Sequence, residues 1–266
     1  MLFPRVLTAV VGIPLLLWVI HRGGLPFTVF TVGVVVLSLH EYGVILCLGR
    51  RPLQTWTAVL AGGLVALAVA WELHLVPVLA LVVVGTVLRE MASREHSLDR
   101  LGLTFFGVLF FGLTLPHLSL IRDLRPIGEK AAFLLFVTVW VMDTAAYAVG
   151  KAVGRHPLAS VLSPKKTWEG AAAGLAAAAL CVLAIRGAFL KEAMTVPQAL
   201  ALALVIGVLW QVSDIAESMV KRAVGVKDSG ALLPGHGGVM ARFDSFILAA
   251  RAVFYFLVWI GAGGFS

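Results

Sequence analysis

Residues 197–245 read PQALALALVIGVLWQVSDIAESMVKRAVGVKDSGALLPGHGGVMARFDS, an apolar run that passes without a break into most of the polar chemistry of an otherwise oily chain. The run 197–213 approaches the roughly 20 residues that a helix needs to cross a bilayer. Beyond it, Asp214, Glu217, Ser218 and Lys221 fall at i, i+3, i+4 and i+7, one face of a helix that continues out of the bilayer. Two carboxylates, a hydroxyl and an ammonium thus share one column. A solvated salt-bridge ladder uses the same spacing, but a ladder has no reason to begin where a membrane span ends. Arg222, Lys227 and Asp228 follow, then the LLPGHGG turn with His236, Gly237 and Gly238, then Arg242, with Asp244 at the beginning of the next apolar run. Carboxylates beside several cations, with glycines that allow close backbone approach, suit a site that holds a divalent metal and phosphates together.

The rest of the chain sets this stretch in a membrane. Of 266 residues 60% are hydrophobic and 13% charged, with a mean hydropathy of +0.99, whereas about a quarter of a soluble domain is charged. Several apolar runs approach membrane length, and the strict alternation of barrel strands is missing, so the fold class is all-α and polytopic. Nine spans are expected, at about 4–20, 26–48, 56–73, 75–88, 101–121, 131–150, 170–186, 197–213 and 243–262. Only Glu72, Leu73 and His74 separate the third from the fourth, and the fourth is short, so a re-entrant or strongly packed segment is the alternative there. No A-x-A-like cleavage site follows the first run, which reads as a retained helix. With no linker and no repeat of fixed period, residues 1–266 read as one integral domain. Helices 1–130 precede the part that carries the site, 131–266.

Charge sets the expected orientation. With nine spans, fourteen Lys and Arg fall on one face and six on the other, with Arg251 inside the last span. The positive-inside rule then places the N-terminus and both charged loops in the cytoplasm, as in a bacterial inner or plasma membrane. The formal charge of +7 is accounted for by helix ends and loops, which argues against nucleic acid as a partner. Cys47 and Cys181 lie inside apolar runs, without CxxC or Cys/His spacing, and read as small core residues. The small-residue run GAAAGLAAAA at 170–179 reads as a helix–helix interface.

Two further groups carry chemistry. Asp143 lies late in the sixth span, where an ionisable group usually faces a cavity or a partner, and Tyr147 is four residues on along the same helix face. The following loop contains SPKKTWEG at 163–170. Pro164 breaks any helix before Lys165, while Thr167 begins the next apolar span, so Lys165 and Lys166 are expected at a helix start, where backbone N–H groups also favour anions. A juxtamembrane basic pair obeying the positive-inside rule is the plainer account of the same lysines.

The run Ser218, Lys221, Arg222, Lys227, Asp228, Pro234–Gly238, Arg242, Asp244 and Ser245 resembles the signature of the phosphatidate cytidylyltransferases, also called CDP-diacylglycerol synthases. Asp143 with Tyr147, SPKKTWEG from Ser163, and Asp214 with Glu217 extend the match over the second half of the chain. In the first half, Glu41–Tyr42 and Pro116–His117 are fainter echoes. The resemblance implies a polytopic helical enzyme, often dimeric, that joins CTP to phosphatidic acid and releases pyrophosphate. It also implies Mg²⁺ and a monovalent cation such as K⁺ in a cytoplasm-facing cavity. Asp214, Asp244, Lys221, Arg222 and His236 would be catalytic. Asp143, Tyr147, Ser163, Lys165, Lys166, Thr167, Glu217, Ser218, Lys227, Asp228, Gly237, Gly238 and Arg242 would bind substrate or phosphate, and Asp214, Asp244 and Asp143 would hold metal.

One departure stands inside the signature. The family pattern H-G-G-x-x-D-R-x-D becomes HGGVMARFD, so Ala241 occupies the position of an expected aspartate ligand, and the Mg²⁺ site should bind more weakly for lacking it. The competing readings are a related enzyme acting on another lipid phosphate, an inactive relative that keeps the fold, and a transporter with Asp143 and Arg251 along its path. The last is disfavoured because the polar residues gather at one face instead of spanning the bilayer.

Overall fold

A computed structural model describes residues 3–226 and 237–264, with side chains from Val10 onward. Helices α1 (Phe3–Arg22), α2 (Gly24–Leu48), α3 (Thr55–Ala70), α4 (Leu75–Met91) and α5 (Leu98–Gly107) lead through a π turn at Val108–Gly112 into α6 (His117–Asp123). Then come α7 (Gly128–Val153), strands β1 (Pro157–Ala159) and β2 (Ser163–Thr167), α8 (Trp168–Phe189), α9 (Val196–Ala223), α10 (Met240–Phe243) and α11 (Phe246–Trp259). The expected apolar runs fall largely on helices, but the fifth is divided among α5, the π turn and α6, and the ninth begins on α10 before α11. Among the described residues, five helical stretches are long and apolar enough to cross a membrane: Gly24–Leu48, Leu98–Asp123, Gly128–Val153, Trp168–Phe189 and Val196–Ala223. Helices α3, α4 and α11, with 16, 17 and 14 residues, fall short by length. Leu60, Val76 and Leu180 expose 73%, 79% and 70% of their surface, side chains suited to lipid and costly in water. This is an all-α integral membrane protein.

Contacts divide the chain into two compact units, one of 1–120 with 220–243 and one of 121–219 with 244–266. In the first, the Tyr42 ring of α2 packs against Phe106 and Phe111, and its hydroxyl donates to the Leu103 carbonyl at 3.2 Å. Ser97 caps α5, its hydroxyl accepting from the Arg100 amide at 3.2 Å. Phe30 of α2 meets Phe243 of α10 edge to face at 5.8 Å.

In the second unit, α7 and α8 form a close antiparallel pair joined by the β1–β2 hairpin. Gly170, Gly174 and Ala178 are buried at intervals of four, so the small-residue run is an interface, as its composition predicts. A Cβ on Gly170 would lie 2.7 Å from the Ala146 carbonyl of α7. Phe136 of α7 packs on Phe246 of α11 at 4.7 Å. Arg125 and Gly264 exchange backbone hydrogen bonds of 3.0 and 3.1 Å, fastening the end of the chain beside α7.

Two local expectations change. Lys165 and Lys166 lie on β2, one turn before α8, because the segment after Pro164 pairs with β1, and Thr167 rather than a lysine opens the helix. Cys47 is exposed on α2, so its place in an apolar run reflects an outward-facing position. Cys181 is half-buried, and both are free thiols.

Candidate active site

The second unit gathers acidic and basic groups at one end of α7, α8 and α9. A cavity of about 540 Å³ is lined by Asp143, Ala146, Tyr147, Gly150 and Lys151 from α7, by Lys165, Lys166 and Thr167 from β2, by Gly170 and Ala171 from α8, and by Trp210, Gln211 and Asp214 from α9. The α7–α8 interface allows this: small residues bring the helices together next to the hairpin that joins them. The Thr167 hydroxyl caps α8 by accepting the Gly170 amide at 3.1 Å, which leaves its own proton to donate into the cavity.

Each polar group has a defined neighbour. Lys166 forms an ion pair with Asp214, with 22% and 23% of the two side chains exposed. The Lys166 ammonium also stands 5.9 Å from the centre of the Trp210 ring. Trp210 is only 4% exposed, and its indole N–H donates to Asp143 Oδ1 at 2.9 Å. Asp143 itself remains exposed on α7, and Tyr147, four residues on, lies beneath the Lys151 ammonium at 5.8 Å. Sequence reasoning missed Trp210, which reads as one more apolar residue of the span. Its indole N–H, late in an apolar run beside Gln211, is the signal that marks it.

Asp244 precedes α11. Its carboxylate accepts from the Ser245 amide at 2.6 Å and the Ser245 hydroxyl at 3.1 Å. The Ser213 hydroxyl donates to its carbonyl and accepts the Leu248 amide at 3.2 Å, so α9 holds the turn in place. Asp143 and Asp214 both line the cavity. Glu217 is buried at 1% exposure. Among the described residues, no group of three or more His, Cys, Asp or Glu side chains converges closely enough to hold a metal ion alone.

In the first unit, Gly237 adopts φ +80°, open to glycine at little cost, and the buried Glu41 carboxylate of α2 accepts the Val239 and Met240 amides at 2.9 and 2.8 Å. A Cβ on Gly238 would lie 2.4 Å from the Glu41 carboxylate, so the second glycine of the HGG turn is required for this approach. Glu41 thereby anchors Val239 and the opening of α10, which carries Ala241 and the exposed Arg242. Lys221 and Arg222 lie in the last turn of α9, and Ser218 is half-buried on the same helix. Ser163 is half-buried on β2. Lys227, Asp228 and His236 lie outside the described residues. Arg251 of α11 stands 5.8 Å over the Tyr255 ring, a partner for its charge.

Comparison with known proteins agrees with this chemistry. The model of a family described as "Cytidylyltransferase family" matches residues 3–260. A phosphatidate cytidylyltransferase of Brucella suis biovar 1 (strain 1330) is 32% identical over 282 residues, covering 95% of this chain and 92% of the relative. Its namesake from Bacillus subtilis (strain 168) is 29% identical over 274 residues, covering 95% and 96%. That of Synechocystis sp. (strain ATCC 27184 / PCC 6803 / Kazusa) reaches 41% over 134 residues, half of this chain and 45% of the relative. A match that runs from the first helix to the last, over a chain whose lysines and carboxylates converge on a cavity among apolar helices, makes this protein a member of the cytidylyltransferase family.

Proposed function

We propose that this chain is a phosphatidate cytidylyltransferase, joining CTP to phosphatidic acid to give CDP-diacylglycerol and pyrophosphate. The observation that carries the reading is the cavity itself, with phosphate-seeking Lys165, Lys166 and Thr167 facing Asp143 and Asp214 at the end of apolar helices. Its volume of about 540 Å³ lies within the usual range of ligand sites. An oxygen of the lipid phosphate attacks the α-phosphorus of CTP in line, and the bond to the bridging oxygen of the β-phosphate breaks, its electron pair leaving with pyrophosphate. Little proton transfer is needed, because a phosphate monoester is already largely ionised near neutral pH. Lys165 and Lys166 clamp phosphate oxygens, and the Thr167 proton donates to one of them; the family signature assigns Lys221, Arg222, Lys227 and Arg242 to phosphate as well. The signature assigns His236 a part in the reaction, binding phosphate as a cation or placing a proton.

Mg²⁺ belongs to this proposal, with K⁺ or a similar monovalent ion beside it. The residues fit in kind: the proposed ligands Asp214, Asp244 and Asp143 are all carboxylates, and Asp214 and Asp143 line the cavity beside the phosphate-seeking lysines. Mg²⁺ is characteristically held by one or two carboxylates, completed by substrate phosphates and water. When bound, it neutralises charge gathering on the transferred phosphoryl group. Ala241 offers no ligand where the family pattern has one, so this chain's affinity for Mg²⁺ is the weaker for it.

The same proposal carries a cytoplasmic orientation of the N-terminus and cavity, where CTP is available, and a homodimer. A cysteine at Ser229 should be labelled only from the cytoplasmic side of intact cells. The direct test is CTP-dependent formation of CDP-diacylglycerol from phosphatidic acid in liposomes, by this sequence and by Ala241→Asp in parallel. Product from the substituted form supports the assignment, and product only with another lipid phosphate transfers the chemistry to a related substrate. No product from either form with any lipid phosphate rejects the assignment.

A further inference from the structure

We propose that Lys166 is a placeholder cation. In the resting protein it occupies Asp214, so that the metal's carboxylate and the nucleotide's lysine block one another until both ligands arrive. The inference rests on the cytidylyltransferase reading of the cavity, and it goes beyond that reading by assigning how the two ligands depend on each other.

The geometry carries it. Lys166 is paired with Asp214, although its proposed partner in the reaction is a phosphate. Its ammonium is held from a second side by the face of Trp210, four residues before Asp214 on α9 and therefore on the same side of that helix. Trp210 is in turn fixed by its bond to Asp143. The ammonium thus rests on a carboxylate and an aromatic face supplied by a single rigid helix. The Lys166 ammonium itself is buried, while about a fifth of each side chain is exposed and both residues line the cavity, so a ligand reaches the ammonium only by drawing it off Asp214.

Each ligand then meets the wrong charge when it arrives alone. A divalent ion approaching Asp214 meets the Lys166 ammonium in contact with it, and a triphosphate approaching Lys166 meets the Asp214 carboxylate. When both are present the exchange is favourable on each side, since the metal takes the carboxylate and the phosphates take the ammonium. Metal and nucleotide therefore bind with positive coupling, which by linkage has the same size in both directions. Because Ala241 leaves the metal one carboxylate fewer, competition at Asp214 weighs more heavily here than in a site with the full set.

Substitutions at two positions separate this from an ordinary site, in which removing a clamp or a ligand only weakens binding. Mn²⁺ binding to the full-length protein in detergent, without nucleotide, is read by electron paramagnetic resonance. Lys166→Met keeps the aliphatic stem and removes the charge, and should tighten Mn²⁺ binding three- to tenfold. Lys166→Gln should do the same, and Lys166→Arg should restore the weak binding of the parent. Conversely, Asp214→Asn should bind CTP three- to tenfold more tightly in excess EDTA than the parent does, although its turnover is lost. Mn²⁺ affinity unchanged or lower in both Lys166→Met and Lys166→Gln overturns the proposal, as does CTP affinity unchanged or lower in Asp214→Asn. If the parent binds no CTP even with Mg²⁺, the cytidylyltransferase assignment fails. The Mn²⁺ arm uses no nucleotide, and it still decides whether Lys166 holds Asp214 against a metal.

Discussion

Two buried-edge ion pairs, one in each unit, show how differently a carboxylate can be used in the same membrane protein. Glu90, just beyond the apolar part of α4, is closed on all sides: Arg100 Nε bridges both of its oxygens at 3.1 and 2.9 Å, Gln54 Nε2 donates at 2.7 Å and the Ser97 amide at 2.8 Å. The Arg100 hydrogen bond, helped by Gln54 and Ser97, outweighs the cost of burial and holds the Glu90 carboxyl at about 2. The neighbouring cavity of about 320 Å³ is lined mainly by apolar side chains such as Val87, Met91, Leu98 and Leu101. Asp214 instead pairs with the Lys166 ammonium on the wall of a ligand-sized cavity that Asp143 also lines. The planar fork of an arginine saturates its partner, whereas a lysine is a movable point charge that leaves capacity for other ligands. The first pair therefore holds α4 to α5, and the second is built to be exchanged.

The comparison breaks most sharply on turnover. Asp214→Asn should lower CDP-diacylglycerol formation by at least a hundredfold, about 2.7 kcal/mol of barrier, while the melting temperature in detergent stays near that of the parent. Glu90→Ala should do the reverse, lowering the melting temperature clearly and leaving turnover per folded molecule within twofold. A large loss of turnover with Glu90→Ala would make the first pair part of the machinery. Next in size is the missing ligand. Ala241→Asp should raise apparent Mg²⁺ affinity by about tenfold, or about 1.4 kcal/mol, with a matching gain of turnover at limiting Mg²⁺. Equal turnover by the two forms at limiting Mg²⁺ would move the ligand role to Asp143 or Glu217.

A smaller effect is expected at Glu41, which acts through the turn it holds. Glu41→Gln keeps the size of the side chain but offers one acceptor oxygen to two amides, and should lower kcat severalfold with little change in KM for CTP. An unchanged kcat in a destabilised protein would make the contact structural only. The smallest effect is a matter of pH. Because folding lowers the Glu90 carboxyl from 4.5 to about 2, its contribution to stability is complete above the higher value and is lost as pH falls between the two. Glu90→Gln should flatten that part of the stability–pH curve, as measured by thermal unfolding from pH 6 down to 3.

How far these features can be read from the chain depends on the range of the forces that make them. Helices in a bilayer satisfy their own backbone, so apolar runs announce them, and the continuous α9 out to Ala223 follows from its i, i+3, i+4, i+7 column. The strand at Ser163–Thr167 was not legible, since SPKKT carries a proline and two lysines and little β propensity. It forms because the tight α7–α8 pair brings Pro157–Ala159 alongside it. The lysines and carboxylates were legible as chemistry and as a family signature, but not as an ion pair resting on Trp210, which depends on three separate elements meeting. Glu41 left only a faint trace because the amide it holds is 198 residues away, beyond any local spacing rule.

The Glu41 contact also has a consequence for how the protein is made. Its carboxylate is buried in α2, yet the amides that satisfy it belong to Val239 and Met240, near the end of the chain. During synthesis at a ribosome, α2 therefore enters the membrane long before the donors for Glu41 exist, and the intermediate must keep that charge in contact with water or headgroups. A chain stopped short of Val239 would leave the carboxylate without these two donors. Seating Val239 and Met240 on α2 is thus the step that lets the Glu41 carboxylate be buried.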